Sequence, residues 1–265
     1  MHFPIPFYIF AFLLGAVVGS FLNVCICRLP EDKSVVSPSS ACPRCGNGIR
    51  WYDNVPIISF LLLRARCRFC GEPISWRYPL VEALNGLLTL VLFLKFGTSF
   101  TFLGMFVLCS ALVAITFIDL DHQIIPDSIS LPGIPLGFAA SFVIGDLYHV
   151  GAVLGWLNSL LGILLGGGSL LLVAWGYEKI TGNEGMGGGD IKLLAMMGAF
   201  LGWRSVPFII FAASLVGSVI GISAMVIKKS DGKLAIPFGP FLAFGAMLYI
   251  FFGRQLITWY FSIGR

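Results

Sequence analysis

The chain has 265 residues, 57% of them hydrophobic and only 11% charged, with a net charge of +4. Soluble domains carry about 25% charged residues, so too few remain here to cover a water-facing surface, and the mean hydropathy of +0.92 agrees. That excludes an ordinary soluble enzyme, a disordered chain and a nucleic-acid-binding module.

The fold class this leaves is an all-α polytopic membrane protein. Its 32 glycines and 24 phenylalanines suit packed membrane helices and not a porin-like barrel. The first apolar run, 4–27, lacks a basic segment before it and a small-residue cleavage site after it. It reads as a retained span. A polar segment, 28–77, follows. Further apolar runs at 78–96, 101–118, 128–144, 150–177, 191–201, 206–227 and 236–252 bring the expectation to about eight transmembrane helices. The run at 191 is short and reads as a tilted, broken or re-entrant element. The chain thus divides into a first span (1–27), a polar loop (28–77) and a polytopic core (78–265).

Loop charge sets the expected orientation. With eight spans, one side receives 28–77, 119–127, 178–192 and 228–235. These hold 13 basic residues: Arg28, Lys33, Arg44, Arg50, Arg64, Arg66, Arg68, Arg77, Lys179, Lys192, Lys228, Lys229 and Lys233. The other side holds the remaining four, Lys95, Arg204, Arg254 and Arg265. Basic loops stay cytoplasmic, so both termini are expected to face outward and the polar loop to face the cytoplasm.

Inside that loop stand Cys42-Pro-Arg-Cys45-Gly and Cys67-Arg-Phe-Cys70-Gly, two CxxC pairs separated by 21 residues. This is the ligand pattern of a tetrahedral four-cysteine zinc site resembling a zinc ribbon. Gly46 and Gly71 follow the second cysteine of each pair, where a tight knuckle needs positive φ. Two disulfides are the bland alternative, disfavoured in a reducing compartment. Four thiolates leave no open position, so the expected zinc is structural and folds a loop too small to build its own core. Cys25, Cys27 and Cys109 lie in apolar runs and read as small buried hydrophobes.

Ionisable groups at the edges of spans mark function by default. Five of the 13 acidic residues fall in two places: Asp119, Asp121 and Asp127 in Phe117-Ile-Asp-Leu-Asp-His122-Gln-Ile-Ile-Pro126-Asp, and Glu184 and Asp190 around a glycine run. Two carboxylates brought together share a proton, one activating water and the other protonating a leaving amine. That is aspartic-peptidase chemistry. No serine or cysteine nucleophile has a base beside it. His122 is the one nearby histidine, so catalytic zinc has no support. Residue chemistry does not choose among Asp119, Asp121 and Asp127, although 119 and 121 face different ways on a continuing helix. Asp127 could cap the next helix, and Asp190 could equally cap the short one. The glycines at 187–189 would let another chain approach closely. Asn23 and Glu82, polar groups near span ends, need partners or a polar role.

These residues resemble the bacterial type IV prepilin peptidases, polytopic aspartic peptidases of the GxGD type. The likeness runs along nearly the whole chain. It rests on Gly19-Ser-Phe-Leu-Asn23-Val with Arg28-Leu-Pro30, both CxxC pairs, Arg77-Tyr-Pro-Leu-Val-Glu82, the stretch from Ile118 to Asp127, Gly185-Met-Gly-Gly-Gly189-Asp190-Ile-Lys192, and Ile236-Pro-Phe-Gly-Pro240. The resemblance implies an inner-membrane enzyme that removes the short basic leader of type IV prepilins or type II secretion pseudopilins. It would cut on the cytoplasmic side, typically between Gly and Phe. The family's two catalytic aspartates fall on Asp119 and Asp190. The CxxC pairs belong to the bifunctional type, which implies N-methylation of the new N-terminus with S-adenosylmethionine. The segment between Pro30 and Cys42 is shorter than in other members. No glycine-rich dinucleotide fingerprint marks a donor site, so its residues stay unassigned. Besides membrane lipid, the expected partner is a prepilin, and no nucleic acid. Two other classes compete: a transporter using paired membrane carboxylates, and a non-enzymatic pilus or secretion assembly protein.

Overall fold

The computed structural model describes residues 3–149, 151–182, 187–228 and 236–262. Glu184, Gly185, Met186, Lys229, Lys233 and Arg265 lie outside them. Among the described residues there are nine α-helices and no strand, only isolated bridges. The helices are α1 (Ile5–Arg28), α2 (Ile58–Leu62), α3 (Arg77–Phe96), α4 (Phe100–His122), α5 (Asp127–Ala140), α6 (Trp156–Thr181), α7 (Gly188–Leu201), α8 (Ser205–Lys228) and α9 (Gly239–Ser262).

Six of them, α1, α3, α4, α6, α8 and α9, are long and apolar enough to cross a bilayer. The other two apolar helices, α5 and α7, have 14 residues each. At 1.5 Å per residue they reach about 21 Å, short of a hydrocarbon core of about 30 Å. The chain is a multi-pass, all-helical membrane protein. Several boundaries differ from the hydropathy reading. Helix α4 runs on to His122, so Asp119 lies within it and not after it; residues 151–155 precede α6 outside any helix; α5 ends at Ala140, short of 144; and α9 runs on to Ser262, past 252.

The fold falls into two compact units. The first comprises Met1–Phe102 and Cys109–Ala114, the second Leu103–Leu108 and Ile115–Arg265. In the first, α1 packs closely on α3. A Cβ at Gly19 would meet the Glu82 Cα at 2.8 Å, which bulkier residues could not tolerate. Without a hydrophobic drive between helices in lipid, such close approach and polar links do the holding. Asn85 donates to the Gly15 carbonyl at 2.8 Å, and Ser110 donates to the Asn85 side chain at 3.1 Å. Asn23, 7% exposed, has the partner it needs: its amide donates to the Tyr78 carbonyl at 3.1 Å. Cys25 and Cys109 are buried as expected, whereas Cys27, in the last turn of α1, is exposed.

In the second unit α7 is the central element, with every residue from Leu193 to Leu201 buried. It is enclosed by α5 and α6 through small residues. A Cβ on Gly166 would lie 2.5 Å from the Leu194 carbonyl oxygen, and Ser159 donates to the Ala199 carbonyl at 2.7 Å. An apolar helix this short is stable in the bilayer because neighbouring helices surround it.

Candidate active site and metal centre

The two acidic clusters of the sequence meet in the second unit. Asp119, near the end of α4, is 4% exposed, and its Oδ2 accepts the Gly239 N–H at 2.9 Å. Gly239 opens α9, so its amide is one of the free donors of a helix N-terminus, where a carboxylate is favoured. Asp121, two residues on, is exposed on the other side of α4.

Asp190 lies in the first turn of α7, outside the six crossing helices. Burial pushes its carboxyl up to about 6, and the nearby Asp119 charge acts in the same direction. The two carboxylates are therefore electrostatic neighbours. The cap of α7 is Gly187 with no side-chain bond, which removes the reading of Asp190 as a simple N-cap. Asp127 is not a cap either, since Pro126 occupies that position and no side chain caps the helix. Instead both Asp127 oxygens accept from Lys192 Nζ, at 2.7 and 2.8 Å, on a largely exposed surface. That ion pair ties the first turn of α7 to the first turn of α5.

Ile125 is the packing wedge of this site. A Cβ on Gly189 would lie 2.9 Å from the Ile125 Cβ, and one on Gly239 would lie 3.4 Å from its Cδ1. The close approach expected of the glycine run therefore falls on Gly189; Gly187 and Gly188 face open space. Sequence reasoning did not single out Gly239 or Ile125 for a role. The one available signal was the Gly-Pro pair at 239–240, a helix-opening sequence next to an apolar run. A methyl on Gly239 would sit 2.6 Å from Asp119 Oδ2. We therefore expect Gly239→Ala to displace that carboxylate and slow the chemistry of the site about 10²-fold, as a misplacement of about 1 Å does. Protein amount in the membrane and metal content should not change. Peptide-cleavage rates of the purified variant check this.

The first unit brings all four loop cysteines together. The ligand atoms of Cys42, Cys45, Cys67 and Cys70 lie within 4.8 Å of one another, with Cys42 and Cys70 Sγ 3.9 Å apart. A tetrahedral site with Zn–S near 2.3 Å puts its sulfurs about 3.8 Å apart, so the cluster fits zinc. The two knuckles repeat one backbone pattern. Cys42 N–H bonds the Asn47 carbonyl and Gly46 N–H the Cys42 carbonyl; Cys67 does the same with Glu72 and Gly71. Gly46 and Gly71 both have φ of 71°, as the spacing required.

Backbone bonds from Cys45 and Arg44 lower the Cys42 thiol, and one from Asn47 lowers Cys45. For Cys70 the Glu72 backbone bond favours the thiolate. Desolvation and the neighbouring Cys67, Cys45 and Cys42 outweigh it and push the thiol up to about 12. Four thiolates side by side thus need a cation between them. Arg68 braces the second knuckle through a two-pronged bond to Asp53, Nε to Oδ2 at 2.8 Å and the guanidinium NH₂ to Oδ1 at 2.6 Å.

Below the knuckles, and within the same unit, is a cavity of about 960 Å³ lined by the last turns of α1, the first turns of α3 and the loop. Glu82 lies at its floor, 8% exposed, with Oε2 accepting the Ile57 N–H at 2.7 Å and Ser20 as a second partner.

Comparison with known proteins settles the family. The family model for the bacterial peptidase A24 N-terminal domain matches residues 13–96, and that for the type IV leader peptidase family matches 106–222. A prepilin leader peptidase/N-methyltransferase of Pseudomonas aeruginosa is 38% identical over 280 residues, covering 97% of this chain and 94% of the relative. The chain belongs to the type IV leader peptidase family. A relative of the same name from Aeromonas hydrophila is 36% identical, with 97% and 94% covered. Another, from Myxococcus xanthus, is 45% identical over 222 residues; these are 83% of this chain but 64% of that protein's length. No solved structure matches significantly. Within the family matches, Asp119 and Asp190 both fall in the leader peptidase segment and all four cysteines in the N-terminal one.

Proposed function

We propose that this chain is a membrane aspartic endopeptidase that removes the basic leader of type IV prepilins or pseudopilins and then N-methylates the new N-terminal residue. The observation that carries the reading is the convergence of Asp119 and Asp190, from distant parts of the sequence, at one largely buried site. The relatives' names supply the substrate class.

Asp119 and Asp190 share one proton. The ionised carboxylate takes a proton from water as the water oxygen bonds to the scissile carbonyl carbon. When the adduct collapses, the C–N bond breaks with its electron pair on nitrogen, and the protonated carboxylate supplies that nitrogen's proton. The Gly239 N–H holds Asp119 in place for this exchange. Ile125 packs against Gly189, while Gly187 and Gly188 face open space just before Asp190, where an extended substrate can lie along the backbone. The site is read as facing the cytoplasm of the inner membrane, the side on which the basic leader of a substrate would lie. Residues 28–77 form the zinc-holding segment, after a first span at 1–27, and 78–265 carries the peptidase.

Zinc held by Cys42, Cys45, Cys67 and Cys70 is structural, because four thiolates leave it no open position. S-adenosylmethionine, when bound, would supply a methyl group from its electron-poor sulfonium to the uncharged N-terminal amine. Such a transfer has no use for two carboxylates sharing a proton. We therefore expect the Asp190→Asn protein, supplied with a pre-cleaved pilin and the donor, to methylate it at a rate within a few-fold of wild type. Loss of methylation by a folded Asp190→Asn protein would mean that both activities share one site.

The test of the function is direct. Purified protein in detergent should shorten a prepilin by its leader. A transporter or an assembly protein would leave it at full length.

A further inference from the structure

We infer that the cavity of the first unit, with Glu82 at its floor, is the binding site for the sulfonium methyl donor, S-adenosylmethionine. The inference rests on the methylation reading above and gives it a location. The cavity lies inside the first unit, so its description needs only α1, the 28–77 loop and α3. Its volume, about 960 Å³, falls at the upper end of the ~300–1,000 Å³ of pockets that take small molecules. That is room for a nucleoside with an amino-acid tail and too little for a folded partner.

The charges around it are unevenly matched. Glu31 is bonded to Lys33, Asp53 to Arg68 and Glu72 to Arg44. Arg28 spends its guanidinium on the Ser34 and Pro38 carbonyls, at 2.9 and 2.8 Å. Glu82 is the buried exception: its partners among the described residues are an amide and a hydroxyl, with no cation. A carboxylate has about four acceptor positions, and these partners use two. An ionisable side chain buried at the end of a span with no opposite charge is costly unless a ligand completes it. A sulfonium or ammonium group, both carried by this donor, is the missing charge.

The backbone around Glu82 is held for that purpose. Ile57, which donates to Glu82, has φ of +63°, a conformation a β-branched residue avoids. Such positions persist only where surrounding structure imposes them, and they cluster at ligand sites. Apolar and aromatic lining from Val24, Phe60, Ile74 and Tyr78 offers surface for a purine. Both zinc knuckles contribute to the wall through Cys42 and Cys67, so the four-cysteine site holds the roof of the donor pocket.

The experiment is equilibrium dialysis of radiolabelled S-adenosylmethionine against the full-length, zinc-loaded protein in detergent, run beside methylation of a pre-cleaved pilin. Glu82→Gln keeps an acceptor for the Ile57 N–H and removes the charge. It should weaken donor binding about tenfold or more, the range for a hydrogen bond to a charged group, with zinc content and elution profile unchanged. Val24→Phe, which adds bulk to the cavity from α1 and leaves the Glu82 carboxylate in place, should weaken binding as well and guards against a folding defect in the first variant. Wild-type affinity in both variants, folded and zinc-loaded, overturns the placement while leaving methylation intact. The placement also fails if Glu82→Gln weakens capture of the pilin N-terminus but leaves donor affinity unchanged. A wild-type protein that neither binds the donor nor methylates pre-cleaved pilin would instead defeat the methylation reading itself.

Discussion

Asp119→Asn and Asp190→Asn are each expected to lower prepilin cleavage by about 10⁴-fold or more, because members of a catalytic unit are not additive and losing either removes most of the gain. Asparagine is close to isosteric, so packing survives: an amide oxygen at 119 can still accept the Gly239 N–H that Asp119 accepts at 2.9 Å. What is lost is the shared proton. Asp121→Asn and Asp127→Asn are the controls. Asp121 is exposed on another face of α4, and Asp127 is bonded to Lys192 on a largely exposed surface. Both variants should keep cleavage within a few-fold of wild type. Cleavage that survives Asp119→Asn and disappears in Asp121→Asn or Asp127→Asn would move the first catalytic position elsewhere.

Removing zinc should have the second-largest effect. Metal analysis should find about one zinc per chain, and Ser in place of any of Cys42, Cys45, Cys67 or Cys70 should lower zinc content and open the 28–77 segment to proteases. Structural zinc in small modules contributes about 10–16 kcal/mol of binding free energy, which is their folding free energy. The segment has little else. Its buried apolar content includes Phe60, stacked edge-on against Trp76, and its helix α2 has five residues. Methylation should fall at least as far as cleavage in the Cys42,Cys45 double variant, since the donor pocket shares walls with the knuckles. A protein that contains no zinc and whose four loop thiols titrate freely would end this part of the account.

How far the sequence carried can be read from particular residues. Hydropathy located the six long apolar helices and the two short ones, α5 and α7, because lipid demands continuous apolar runs, and it misjudged where a helix runs past the apolar stretch, as α4 does to reach His122 and α9 to reach Ser262. The knuckles were legible because their geometry is local: two cysteines three apart and a glycine that must take positive φ. The acidic site was only half legible. Spacing offered three aspartates near the end of α4, and periodicity said that 119 and 121 diverge, but which one turns inward depends on what packs there. That is Gly239, 120 residues away, and no local pattern encodes such a contact. Glu82 is similar. Its partner Ile57 is 25 residues distant on an irregular loop, so its burial became visible only in the folded unit.

The central claim is that one chain cleaves and then methylates a pilin precursor through separable sites. Intact-mass and N-terminal peptide analysis of a pilin co-expressed with this protein tests it most directly, because one spectrum reports both the cut and the modification. Wild type should give a pilin lacking its leader and carrying one methyl group on the new N-terminal residue. Asp190→Asn should give the full-length precursor, and Glu82→Gln a shortened pilin with a lowered methylated fraction. A precursor that keeps its leader in the presence of the wild-type protein would contradict the account.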